Sequence, residues 1–107
     1  MPDQSAQSEP GTDHVVEQFR DQITENDVAI VDALNKRLTL VARLHTYKAE
    51  RGIELSDPSW EDWLGQYLQR HNRGPLSDEE LQAFVRELLD LTRRETARLR
   101  EGSTARV

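Results

Sequence analysis

Three cations, Arg20, Arg37 and Lys48, stand along one stretch of helix-forming sequence, and two carboxylates, Asp57 and Glu61, follow where a second helical segment begins. Arg37 and Lys48 are eleven residues apart, a separation that on a helix turns them by only about 20° and spaces them by roughly 16 Å. Two long cationic side chains so placed can lean together and grip opposite ends of a small dianion. Arg20 lies seventeen residues before Arg37, roughly 25 Å along the axis and turned by about 100°, out of reach of that pocket within its own chain. If it acts, it serves a site on a second copy. The plainer reading is that isolated Arg and Lys side chains on a helix are solvated. Arg37 weighs against it, because a charge in an apolar seam must find an anion or bear a large desolvation cost.

The elements that hold these groups read as helices throughout. Between Asp13 and Arg51 there is neither Pro nor Gly, and Gly52, following Lys48 and Arg51, is a stop signal. Val16, Phe19, Ile23, Ile30, Ala33, Leu40, Leu44 and Tyr47 follow alternating steps of three and four, with Asn26 and Arg37 in the same seam. Such a helix would be roughly 58 Å long, whereas a compact domain of this size has a radius of gyration of about 13 Å, so one chain cannot cover the seam. Asp57 and Pro58 are a cap and first residue for a second helix, whose apolar face is Trp60, Trp63, Leu64, Tyr67 and Leu68 and which should stop between Asn72 and Pro75. Ser77-Asp78-Glu79-Glu80 is a capping box for a third, with a stripe of Leu81, Phe84, Val85, Leu88, Leu89, Thr92 and Leu99. The expected fold is all-α, a three-helix protomer with one very long N-terminal helix, paired as an intertwined helical-bundle homodimer. The helical domain is expected over residues 13–101, between disordered tails at 1–12 and 102–107.

Composition narrows the function. A chain of 107 residues without Cys reads as one small domain with no disulfide and no thiol metal site, in a reducing cytoplasmic setting. No run approaches the roughly 18 apolar residues of a membrane span, and the N-terminal stretch has neither the basic start nor the apolar segment of a signal or anchor. A net charge of -6 and a pI near 5.0 argue against a nucleic-acid backbone as partner. His14, His45 and His71 lack metal-ligand spacing and read as surface residues. Arg93, Arg94, Arg98 and Arg100 read as a solvated cluster that offsets the dipole of the third helix.

The run Phe19-Arg20-Asp21-Gln22-Ile23 with Asn26-Asp27, then Asn35-Lys36-Arg37, then Tyr47-Lys48, then Asp57-Pro58 with Glu61 resembles the all-helical class of chorismate mutases. The likeness covers about residues 15–97 and needs no gap from Arg20 to Glu61. It implies an entwined dimer with two sites, each completed by the first-helix Arg of the other chain, in agreement with the geometric reading of Arg20. It implies the [3,3] rearrangement of chorismate to prephenate without cofactor or metal, achieved by holding the enolpyruvyl arm over the ring and stabilising charge on the breaking ether oxygen. By matching position, Arg20 of the second copy and Arg37 would bind the two carboxylates, and Lys48 a carboxylate and the ether oxygen. Asp57, through its backbone, and Glu61 would receive the ring hydroxyl, and Thr92 falls where the family usually has a Ser near a carboxylate.

Two departures from the family pattern bear on substrate and rate. The family commonly has an Arg directly before the Glu, where this chain has Trp60. On the third helix a Gln or protonated Glu that donates to the ether oxygen is replaced by Thr96, with Glu95 the alternative donor if the helix slips by one residue. Loss of such a donor costs on the order of a hundred- to a thousandfold in turnover. Deleting a cation beside Asp57 and Glu61 would suit an ammonium at ring carbon four, which makes 4-amino-4-deoxychorismate an alternative substrate. Trp60 is otherwise a core residue on the face of Trp63 and Tyr67. Two further alternatives are a weak mutase that works docked on another shikimate-pathway enzyme, and pyruvate elimination from isochorismate.

Overall fold

The structure, a computed structural model, describes residues 13–105, the side chains of 103–105 excepted. It contains three helices and, among the described residues, no strand: α1 (His14–Glu50), α2 (Pro58–His71) and α3 (Asp78–Ala105). The expected tail at 1–12 lies outside the described residues, as do 106 and 107. The expected C-terminal tail is corrected in part: α3 continues through Gly102 to Ala105 instead of ending at 101. One glycine costs a helix only about 1 kcal/mol, which the helix formers before it can offset. None of these helices is long and apolar enough to cross a membrane.

Each boundary follows from local chemistry. The Asp13 carboxylate accepts the Val15 N–H at 2.8 Å and so caps α1. At the other end Gly52 takes φ 66°, the left-handed conformation open to glycine. It lets the Ile53 N–H reach the Lys48 carbonyl at 2.9 Å and the Gly52 N–H the Ala49 carbonyl at 3.4 Å, which satisfies the last carbonyls of the helix. Asp57 caps α2 by accepting the Trp60 N–H at 3.2 Å, with Pro58 at the first helical position. The Ser77 hydroxyl oxygen accepts the Glu80 N–H at 3.2 Å and caps α3.

The chain divides into two compact units, residues 1–37 and 38–107. The described part of the first is the N-terminal run of α1, on which Phe19, Ile23, Ile30 and Val31 are all more than half exposed. In the second, α2 packs on α3. Gly65 of α2 is buried, and an added Cβ there would lie 3.3 Å from Gln82 Oε1 of α3. Gln82 Nε2 donates to the Gly65 carbonyl at 3.1 Å and to Gln69 Oε1 at 2.8 Å, tying the helices together. The buried positions of α3 are Leu81, Val85, Thr92 and Thr96, one face at steps of four, seven and four. Phe84 and Leu99, assigned to that stripe from sequence, stand 55% and 42% exposed. Val85 is the most enclosed aliphatic side chain, at 3% exposure. Val85→Ala is expected to lower the unfolding free energy by about 2 kcal/mol, read by urea denaturation at fixed protein concentration; a change under about 0.5 kcal/mol would mean that this face is not the core.

Candidate active site

The residues that sequence reasoning selected fall on all three helices. Arg20 is exposed on α1 in the first unit, and Arg37 is half-buried at that unit's end. Within the second unit, Lys48 sits half-buried in the last turn of α1 and its Nζ donates to the Leu55 carbonyl at 3.5 Å. No described carboxylate forms an ion pair with it. The loop that the Gly52 turn creates therefore brings a neutral acceptor to this ammonium and leaves its charge uncompensated.

On α2 the Asp57 side chain is engaged in the cap and its carbonyl accepts the Glu61 N–H at 3.1 Å. Glu61, one turn on, accepts from Arg93 of α3 at 2.7 Å, and the same guanidinium reaches Asp90 at 2.8 Å. Sequence reasoning missed this pair because it spans 32 residues and depends on how α2 and α3 dock. Trp60 is 45% exposed, so it is not core within the chain; the aromatic stack on α2 runs instead through Trp63, Tyr67 and His71.

On α3 both threonines point inward. The Thr92 hydroxyl donates to the Leu88 carbonyl at 2.6 Å and the buried Thr96 hydroxyl to the Thr92 carbonyl at 2.7 Å. A hydroxyl has one proton to give, and that of Thr96 goes to its own helix. The alternative donor Glu95 is engaged on its own helix: its carboxylate takes a hydrogen bond from Arg98 at 3.0 Å, and that bond holds its pKa below the ordinary glutamate value.

The arginine cluster is likewise not simply solvated: Arg93 serves Glu61, Arg94 reaches Glu87 at 3.1 Å, Arg98 binds Glu95, and Arg100 contacts His45 Nδ1 at 3.3 Å. Nor is His45 a freely exposed residue. It is half-buried against α3 and lines, with Ala42, Thr46, Leu55, Thr96 and Arg100, a pocket of about 400 Å³. Partial burial pushes its pKa below the usual histidine value of 6.5, helped by the positive charges of Arg100 and Lys48. The neutral imidazole belongs to the folded state, and the pocket lining also carries Glu50.

The fold is all-α, three helices with no strand among the described residues. The chorismate mutase type II profile matches residues 19–97, and the chain belongs to that family. It is an isomerase. Two chorismate mutase structures from Thermus thermophilus are similar to it. Form I is 25% identical, with a TM-score of 0.70 over 72% of this chain and 96% of that one. Form II is 24% identical, with a TM-score of 0.73 over 78% and 94%. No curated protein sequence matches the chain significantly.

The His45 environment gives a pH dependence whose sign is fixed. A histidine whose pKa is depressed by folding binds its proton more readily when unfolded, so stability is full above the unfolded value and falls as pH drops through it. The urea midpoint is expected to fall between pH 8 and pH 5, and His45→Gln to flatten that fall. A variant whose midpoint tracks the parent at every pH would remove His45 as the cause.

Proposed function

We propose that the chain rearranges chorismate to prephenate in a site shared by two copies. The reaction is unimolecular, so the protein acts by orientation and electrostatics alone. Arg37 and Lys48 hold the dianion from one chain and Arg20 comes from the other. Lys48 also donates to the ether oxygen as negative charge develops there, while the backbone at Asp57 and the Glu61 carboxylate receive the ring hydroxyl. Thr92 lies beside a carboxylate. Thr96, at the family's second donor position, would have to turn its hydroxyl away from the Thr92 carbonyl to help, so the ether oxygen rests chiefly on Lys48.

The observation that carries this reading is the Lys48 ammonium, half-buried in no ion pair and near enough to His45 to help lower its pKa. A buried or half-buried cation without a counter-ion is unfavourable unless a ligand anion supplies one. The dimer is supported by the apolar seam of α1, where Phe19, Ile23, Ile30, Leu40 and Tyr47 are each more than half exposed and a second copy of the same stripe would cover them. The setting we assign is cytoplasmic, consistent with a chain that has no Cys.

A second reading, 4-amino-4-deoxychorismate as substrate, draws on Trp60 in place of a cation before Glu61. A third, a mutase that needs a docked shikimate-pathway enzyme, draws on the same loss and on Thr96. Full turnover by the purified protein alone would eliminate the third, and a comparison of kcat/KM on the two substrates decides between the others, with a preference for chorismate above tenfold rejecting the amine.

Lys48→Met is expected to lower kcat by a hundredfold or more, whereas Thr96→Val, which removes a hydroxyl already spent on the helix, should cost less than about tenfold. The reverse order would make Thr96 the principal donor. The shared site has its own test. Arg20→Ala and Lys48→Met proteins, each inactive, are mixed and allowed to exchange subunits, and about a quarter of the parental activity should return because half of the dimers are mixed and each carries one intact site. No recovery on demonstrated exchange would confine the site to one chain.

A further inference from the structure

We infer that Arg93 selects the substituent at ring carbon four of the substrate, by supplying from α3 the positive charge that position 60 on α2 lacks. The inference rests on the mutase reading above and adds to it a specificity residue.

The geometry is specific. One terminal nitrogen of Arg93 donates to Glu61 Oε1 at 2.7 Å and the other to Asp90 Oδ1 at 2.8 Å. Anchored at two points by carboxylates on two helices, the guanidinium is fixed in place in a way that a single exposed ion pair would not achieve. Its bond to Oε1 leaves Glu61 Oε2 to accept from a ligand. Glu61 is the less exposed partner, its side chain 29% accessible against 57% for Arg93. Trp60, directly before Glu61, brings no charge of its own.

The consequence is electrostatic. A bare Glu61 carboxylate would attract an ammonium more strongly than a hydroxyl. With Arg93 on its other oxygen the negative charge of Glu61 is partly offset, the guanidinium being shared with Asp90, and an ammonium approaching Oε2 would meet that guanidinium on the opposite side of the same carboxylate. A neutral hydroxyl still donates its hydrogen bond without that repulsion. The Trp60 substitution therefore leaves this subsite less negative than Glu61 and Asp90 alone would make it, because part of the missing positive charge is restored from a different helix.

The experiment compares kcat/KM for chorismate and 4-amino-4-deoxychorismate in the parent and in Arg93→Lys, Arg93→Gln and Arg93→Glu. Arg93 is more than half exposed, so the series should fold, and far-UV circular dichroism with sedimentation checks that it does. The parent is expected to prefer chorismate by more than tenfold. The preference should persist within about threefold in Arg93→Lys, move toward the amino compound by about tenfold in Arg93→Gln, and move further in Arg93→Glu. Trp60→Arg added to Arg93→Gln should bring the preference back toward chorismate. A ratio that stays within twofold across Lys, Gln and Glu, or equal losses on both substrates, would overturn the role of Arg93 while leaving the mutase reading intact. A parent that turns over neither compound would instead overturn that reading and this inference with it.

Discussion

Helix α1 contains no buried residue. An isolated helix in water draws little stability from propensity, and in proteins most of it comes from packing an apolar face. Here that face is present, with Val16, Phe19, Ile23, Ile30, Leu40, Leu44 and Tyr47 all exposed, and in the proposed dimer a second copy covers it. The same helix carries Arg20, Arg37 and Lys48. On the proposed assembly, the apolar seam and the substrate therefore impose one requirement: the contact that shields the seam is also the contact that delivers Arg20. Folding and site assembly would be a single event, and their concentration dependence would be shared.

What was legible in the sequence is what local chemistry decides. The Asp57 cap with Pro58 behind it, the Ser77 capping box and the Gly52 stop each depend on a few consecutive residues, and each boundary is found where those residues put it. The membership in the chorismate mutase type II family was likewise readable from the ungapped order of Arg20, Arg37, Lys48, Asp57 and Glu61. What could not be read is the partner of each charge. Arg93 and Glu61 are 32 residues apart, and His45 and Arg100 are 55, so both contacts are set by how helices dock. The Glu95 contact with Arg98 is a different matter, since three residues on a helix is the ordinary spacing of an ion pair. It was visible in principle.

The two threonines of α3 show why residue type alone misleads about a donor. In a buried helical position a threonine hydroxyl satisfies itself on the carbonyl one turn back, and Thr92 and Thr96 both do so. That bond removes the desolvation cost of a buried hydroxyl and thereby allows Thr96 to sit at 2% exposure. The feature that makes Thr96 acceptable to the core is the one that would take its proton from the proposed reaction. A glutamine at the same point could bond its helix neighbours and still extend an amide, because it has more donors and a longer reach.

The remaining ammonium is positioned by backbone geometry more than by side-chain contacts. Because Gly52 is left-handed, the chain after α1 folds back so that Ile53 bonds the Lys48 carbonyl and the Leu55 carbonyl meets the Lys48 Nζ. The lysine is thus held at both its main chain and its tip by the residues that follow it, with a neutral oxygen in place of a carboxylate. A carboxylate there would compete with the substrate for the same charge and lower its effect on the ether oxygen. A carbonyl orients the ammonium without neutralising it, and leaves the full positive charge for whatever anion the pocket admits.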